Sequence, residues 1–132
     1  MSVTSVIPES HADLLERPVF CHLATIRADG NPHVNPMWFR WDGEFLSFTT
    51  STKRAKYKEL SENPNAAVSI NDPDAPYRYL ELRGTVERIE PDPEGEFFAV
   101  LADRYSLPMD GPVGDAPYRV RIYLRPTHAT FQ

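Results

Sequence analysis

The chain has 132 residues, 25% of them charged, a net charge of −5 at pH 7 and one cysteine. That length predicts a single domain, 1–132, with a real core but too small to enclose a large ligand unaided, so a second subunit would complete any large site. The acidic balance argues against a general nucleic-acid binder, and the lone Cys21 excludes an internal disulfide. With neither a secretory leader nor a long apolar run, the expectation is a soluble cytoplasmic protein that does not enter the membrane.

Pro8 followed by residues 9–16 predicts a short helix, which Pro18 ends. Residues 19–26 are apolar and β-favouring, Ala28-Asp29-Gly30-Asn31 reads as a turn, and 33–41 is the second strand of a hairpin, followed by the Asp42-Gly43 turn. Inside that strand Pro36 cannot donate to a ladder, which marks an edge or leaves backbone groups available to a ligand. Residues 45–50 alternate as a third strand.

Charge then concentrates. All three lysines fall at Lys53, Lys56 and Lys58, with Arg54 among them. Ser51 or Thr52 has N-cap character for a helix reaching Glu62, which Asn63-Pro64-Asn65 stops. The macrodipole places about +0.5 charge at a helix start, so cations there are unfavourable unless an anion sits beside them; a phosphate would fit. The competing interpretation is a solvated basic face.

Residues 66–71 form a short strand, 72–76 a turn, and 77–89 a long strand in which Gly84 marks a bulge. A helix over 94–105 carries Phe97, Phe98, Leu101 and Ala102 as its apolar stripe. A loop over 107–117 precedes an alternating strand, 118–124. About six strands and three short helices without strand-helix alternation indicate an α+β fold on an antiparallel sheet, either open or closed into a barrel.

Several chemistries are missing. There is no G-x-G-x-x-G, Walker A loop or G-x-S-x-G elbow. The four histidines lie far apart without metal spacing, so no metal site is expected. Cys21 and His22 are neighbours on one strand and point to opposite faces, which argues against cysteine catalysis. No catalytic side chain is assigned.

The runs LATIRADGNPHVNPMWFRWDG, FTTSTKRAKYKEL, NPNAAVSINDPDAPYRYLELRGTVE and LADRY, in that order, resemble the pyridoxamine 5′-phosphate oxidase-like split β-barrel proteins. Within them they resemble the branch of oxidoreductases dependent on coenzyme F-420, an 8-hydroxy-5-deazaflavin. The resemblance implies an antiparallel split β-barrel and a homodimer with cofactor sites at the subunit interface. It also implies hydride transfer from the reduced deazaflavin to a small unsaturated organic acceptor.

By the same resemblance Arg54 and Lys56 match the phosphate-binding pair, with Lys53 nearby, and Thr49, Thr50 and Ser51 match the segment along the cofactor. His33, Asn35 and Pro36 match the strand beside the ring, and Tyr77 and Tyr79 match aromatics from the other subunit. The chain lacks the C-terminal arginine-rich signature of pyridoxamine phosphate oxidase proper, so oxidation of a vitamin B6 phosphate is not expected. FMN is the alternative cofactor, as in a flavoprotein oxidase or reductase; a further alternative is a non-catalytic binding protein. The deazaflavin's longer acidic tail would gain from Lys53 and Lys58, which favours it. Tyr79, Tyr77, His33 or solvent would supply any proton the acceptor needs.

Overall fold

The computed structural model describes residues 6–132. Seven strands, β1 (Cys21–Ile26), β2 (Pro32–Met37), β3 (Arg40–Trp41), β4 (Leu46–Ser51), β5 (Asn65–Asp72), β6 (Ala75–Pro91) and β7 (Arg119–Phe131), form one sheet. Its order is β2-β1-β5-β6-β7-β4-β3, and every neighbouring pair is antiparallel. The strands at the two ends of this order, β2 and β3, follow each other in the chain with Trp38 and Phe39 between them. Each residue reaches at most about 3.5 Å, so the sheet must curl until its ends nearly meet, which makes it a split barrel.

Three short helices, α1 (Asp13–Glu16), α2 (Ala55–Glu62) and α3 (Glu96–Arg104), complete the α+β fold. Leu23, Phe48, Leu82, Ile122 and Leu124 fill the interior, with Leu14 and Leu15 of α1 packed against them. Each such side chain contributes roughly 1.5–3 kcal/mol of burial. The α1 end is held by Arg104, whose guanidinium donates to the carbonyls of Leu15, Glu16 and Arg17, so α3 supplies what the short helix lacks.

The strand expected over 33–41 is broken at Trp38-Phe39. There the Phe39 N–H donates to the Tyr105 hydroxyl at 3.1 Å and the Phe39 carbonyl accepts from Arg104 Nε at 3.0 Å. Side chains serve this backbone in place of a ladder while the chain crosses from one edge of the sheet to the other.

The last strand outruns its expected end at 124 and continues to Phe131, because its second half pairs with β6 beyond a bulge at Arg83/Gly84. Tyr118 lies in the short 3-10 turn before it. Helix α3 starts at Glu96, later than the expected 94; the Asp92 carboxylate accepts the N–H groups of Phe97 and Phe98 at 3.1 and 3.3 Å and fixes that start.

Helix α2 also starts later than expected. β4 runs through Ser51, whose Oγ accepts the Lys53 N–H at 3.1 Å and whose carbonyl accepts the Arg54 N–H at 3.0 Å. Neither Ser51 nor Thr52 is the N-cap; Arg54 takes that position without a side-chain cap. Lys53 and Arg54 therefore occupy a tight turn before the helix, and only Lys56 lies in its first turn.

Candidate functional site

A cleft of about 750 Å³ opens between β2 and β4. β2 contributes His33, Asn35, Pro36 and Met37; β4 contributes Thr49 and Thr50; the turn contributes Lys53 and Arg54. Ala55 and Lys56 of α2, and Arg119 at the start of β7, complete the lining. β2 ends the sheet, so Pro32 and Pro36 sit where a missing N–H leaves no partner unmet, as Pro36 suggested. Along β2, His33, Asn35 and Met37 are half-buried while Pro32, Val34 and Pro36 are exposed, the period of two that turns alternate side chains inward.

His33, Asn35, Pro36, Thr49, Thr50, Lys53, Arg54 and Lys56 thus meet at one cleft, as the sequence suggested. Ser51, Tyr77 and Tyr79 do not. Ser51 is buried and its hydroxyl serves the turn. Tyr77 is 86% exposed and Tyr79 half-buried, both near the start of β6 and outside the cleft of their own chain. Lys58, expected to share an acidic tail with Lys53, lines a separate hollow with Arg27 and Asp29.

Lys56 is placed differently from its expected role as one of a phosphate pair. It is 5% exposed, and its Nζ donates to the Leu23 carbonyl at 2.9 Å, Thr25 Oγ1 at 2.9 Å and the His33 carbonyl at 3.0 Å. An ammonium has three protons, so none is left for a ligand. Burial pushes its pKa down to about 8, against the opposing charge of Glu59. Lys56 tethers α2 to β1 and β2. The cations free to face a ligand are Arg54, which forms no ion pair among the described residues, and Lys53, whose Nζ lies 4.1 Å from the Tyr118 ring centroid. Arg119, bonded through Nε to Asp115 at 2.9 Å, joins them.

Sequence reading missed Arg119 and Glu59. Arg119 was visible only as a polar member of an alternating strand. Glu59 sits one turn after Lys56 on α2, and that spacing was the available signal. It is buried, accepts from Thr25 Oγ1 at 2.6 Å and lies 2.9 and 3.1 Å from His33 Nδ1. Burial raises its carboxyl, but bonds from Thr25 and His33 and the charges of His33 and Lys56 outweigh this and hold it below the ordinary 4.5. With a carboxylate as acceptor, the hydrogen-bond network assigns a proton to His33 Nδ1.

A carboxyl lowered by folding adds stability above its unfolded pKa and loses it as pH falls through the folded value. Glu59→Gln is therefore expected to cost about 1–3 kcal/mol at pH 7 and progressively less below pH 4.5. Urea denaturation of both proteins at pH 7 and pH 4 checks this; an equal loss at both pH values would remove the ionised role.

Thr49 Oγ1 is buried and, among the described residues, has no hydrogen-bond partner. An orphaned hydroxyl costs about 1–3 kcal/mol, so one lining a cleft points to a ligand group that completes it. Among the described residues no cluster of His, Cys, Asp and Glu could hold a metal ion, and no helix is long and apolar enough to cross a membrane. Burial raises the Cys21 thiol to about 12, which makes it a poor nucleophile.

Residues 7–132 match the family model described as pyridoxamine 5′-phosphate oxidase. A solved structure named F420 reductase is 55% identical, covers 94% of this chain and 98% of its own, and superposes with a TM-score of 0.91. The pyridoxine/pyridoxamine 5′-phosphate oxidase of Pseudomonas entomophila (strain L48) is 32% identical over 79 residues, which are 59% of this chain and 36% of that enzyme. The match thus spans about a third of that enzyme's length. General Stress Protein 26 of Bacillus anthracis str. Sterne, 24% identical over 93% of this chain and 91% of its own with a TM-score of 0.71, shares the fold.

Proposed function

Because the chain belongs to the pyridoxamine 5′-phosphate oxidase family, we propose that it is an oxidoreductase in which reduced coenzyme F-420 is the hydride donor to an unsaturated organic acceptor. The observation that carries the deazaflavin is the 55% identity to F420 reductase across nearly all of both chains. The cleft fits such a ligand on independent grounds. Its cations gather at the α2 end, its β2 wall from His33 to Met37 extends about 13 Å at about 3.3 Å per residue, and the Thr49 hydroxyl lacks a partner.

When bound, the cofactor supplies the hydride chemistry. Arg54, Lys53 and Arg119 would hold its phosphate, and the Thr49 and Thr50 hydroxyls would bond the chain between phosphate and ring. Asn35, Pro36 and Met37 would line the ring's side of the cleft. His33, held by Glu59, lines the same cleft. A second copy of the chain covers the open side, brings in Tyr77 and Tyr79, and excludes water. His33, a tyrosine or solvent provides the proton for the acceptor. No nucleophile is required.

FMN is the second reading, because the same fold serves the family's pyridoxine/pyridoxamine 5′-phosphate oxidases. Parallel fluorescence titration with coenzyme F-420 and FMN separates the two, and tight FMN binding without deazaflavin binding would sink the first. Arg54→Ala is expected to weaken the cofactor by about 1.5–3 kcal/mol, the worth of a charge-assisted hydrogen bond. Wild-type affinity in that variant would remove the phosphate assignment. Saturable binding without turnover over quinones, enones and nitroaromatics would make the protein a carrier rather than an enzyme.

A further inference from the structure

Two cations of the cleft, Lys53 and Arg119, are held by one short segment that does not itself line it. The 3-10 turn Ala116–Tyr118 precedes β7, with Asp115 just before it and Arg119 just after. Its backbone is tied on two sides: the Thr52 N–H donates to the Tyr118 carbonyl at 2.9 Å, and the Asp92 N–H donates to the Arg119 carbonyl at 2.8 Å. Pro117 fixes the backbone within the turn, and Ala116 is buried. The segment is therefore a rigid support beside the cleft.

Each cation is held in a way that leaves its ligand-binding donors unspent. Arg119 gives its Nε–H to Asp115 at 2.9 Å, and its guanidinium lies over the Phe98 ring, 4.9 Å from the centroid. Among the described residues its two terminal nitrogens have no hydrogen-bond partner, so their N–H groups stay available. Lys53 sets Nζ 4.1 Å from the Tyr118 ring centroid, a cation–π contact that engages the charge without taking up its donors on an oxygen. Lys56 is the contrast, since its Nζ donates to three oxygens. The bond from Arg119, and more weakly the charge of Arg54, hold the Asp115 carboxyl below its ordinary 3.8. It is thus ionised at neutral pH and offsets the repulsion among the clustered cations.

We propose that Asp115 and Tyr118 are the positioning residues of the anion site: they hold Arg119 and Lys53 at the cleft with N–H groups free for a ligand phosphate, which they do not touch themselves. The advantage is preorganisation. A cation already fixed by its neighbours loses little side-chain freedom when the ligand arrives, and an ammonium or guanidinium with unspent donors forms charge-assisted bonds to phosphate oxygens. The identity of the cofactor that carries the phosphate rests on the proposed function. The positioning role requires only that a ligand phosphate sits in the cleft.

Fluorescence titration with two matched pairs tests it: coenzyme F-420 beside its phosphate-free ribityl deazaflavin core, and FMN beside riboflavin. Asp115→Ala and Tyr118→Leu each weaken coenzyme F-420 about threefold or more, and move the affinity of the phosphate-free core by less than about twofold. The conservative variants restore binding. Tyr118→Phe keeps the ring face and Asp115→Asn keeps an oxygen for the Arg119 Nε–H, so both bind coenzyme F-420 at least as tightly as wild type. Equal losses for phosphorylated and phosphate-free ligands overturn the proposal, because they show a structural role alone. Unchanged or tighter binding by Asp115→Ala also overturns it, since Asp115 would then only repel the anion. So does a wild-type protein that fails to prefer the phosphorylated member of either pair. Phosphate-dependent, variant-sensitive FMN binding without coenzyme F-420 binding sinks the deazaflavin function instead and upholds the positioning role.

Discussion

Lys56→Met is expected to destabilise the protein by about 3 kcal/mol at pH 7, because it takes the donor away from three acceptors of one buried network. The Leu23 carbonyl, Thr25 Oγ1 and the His33 carbonyl all lose a donor, and the buried Glu59 loses one of the positive charges that favour its ionised form. These losses share one network and will not add, so the figure stays far below the sum of three separate bonds. Methionine keeps the length and apolar stem of lysine, which makes lost packing a minor part of the effect.

The pH dependence gives a second check. The folded-state pKa of Lys56, about 8, lies below the ordinary 10.5, so between those values the unfolded chain holds more protons and stability attributable to Lys56 rises with pH. The gap between wild type and Lys56→Met should therefore widen above about pH 8. Cys21, raised by burial to about 12, works in the opposite direction, but it is common to both proteins and cancels in the difference. Urea denaturation at pH 7 and pH 9.5 measures both effects. A loss under 1 kcal/mol would mean that Lys56 faces solvent and is free for a phosphate after all.

Gly84→Ala is the second large effect. A Cβ at this position would lie 2.0 Å from the Arg125 carbonyl oxygen, 2.8 Å from its carbon and 2.9 Å from the Pro126 Cα, all backbone atoms that cannot rotate aside. The clash falls at the bulge where the β6–β7 register shifts between Arg83 and Gly84. Relief requires separating two central strands of the barrel, at an expected cost of about 3–4 kcal/mol, the upper range for a single substitution. Gly30→Ala makes the comparison, since a Cβ there meets nothing within 4 Å and only its φ of 88° is unfavourable; about 1–2 kcal/mol is expected. Equal losses at the two glycines in thermal or urea unfolding would refute the close-approach argument.

Much of the fold was written locally. The Ala28–Asn31 turn does join β1 to β2, Pro36 does mark an end strand, and Gly84 does sit at a bulge. The cationic segment, expected to bind an anion, places Lys53, Arg54 and Lys56 in the lining of one cleft; the turns were legible because strand alternation and turn chemistry depend on neighbours in the chain. The α2 start was misread because Ser51 and Thr52 have N-cap character, whereas the pairing of Ser51 with Arg119 extends β4 past the point where a cap would act. Tertiary pairing overrode local preference.

Lys56 shows the limit most clearly. On the sequence it is one of four adjacent cations; in the fold it points the other way, onto oxygens 23 to 33 residues distant in the chain. Glu59 reaches His33 across 26 residues, and Tyr105 supports the Trp38–Phe39 crossover from 66 residues beyond Phe39. Sequence by itself determined most of the strands and turns, the end strand marked by Pro36 and the clustering of cations in one segment, since each depends on side-chain type and short spacing. Which cations remain free and which carboxylate orients His33 were decided only when the sheet curled and brought remote segments within hydrogen-bonding distance.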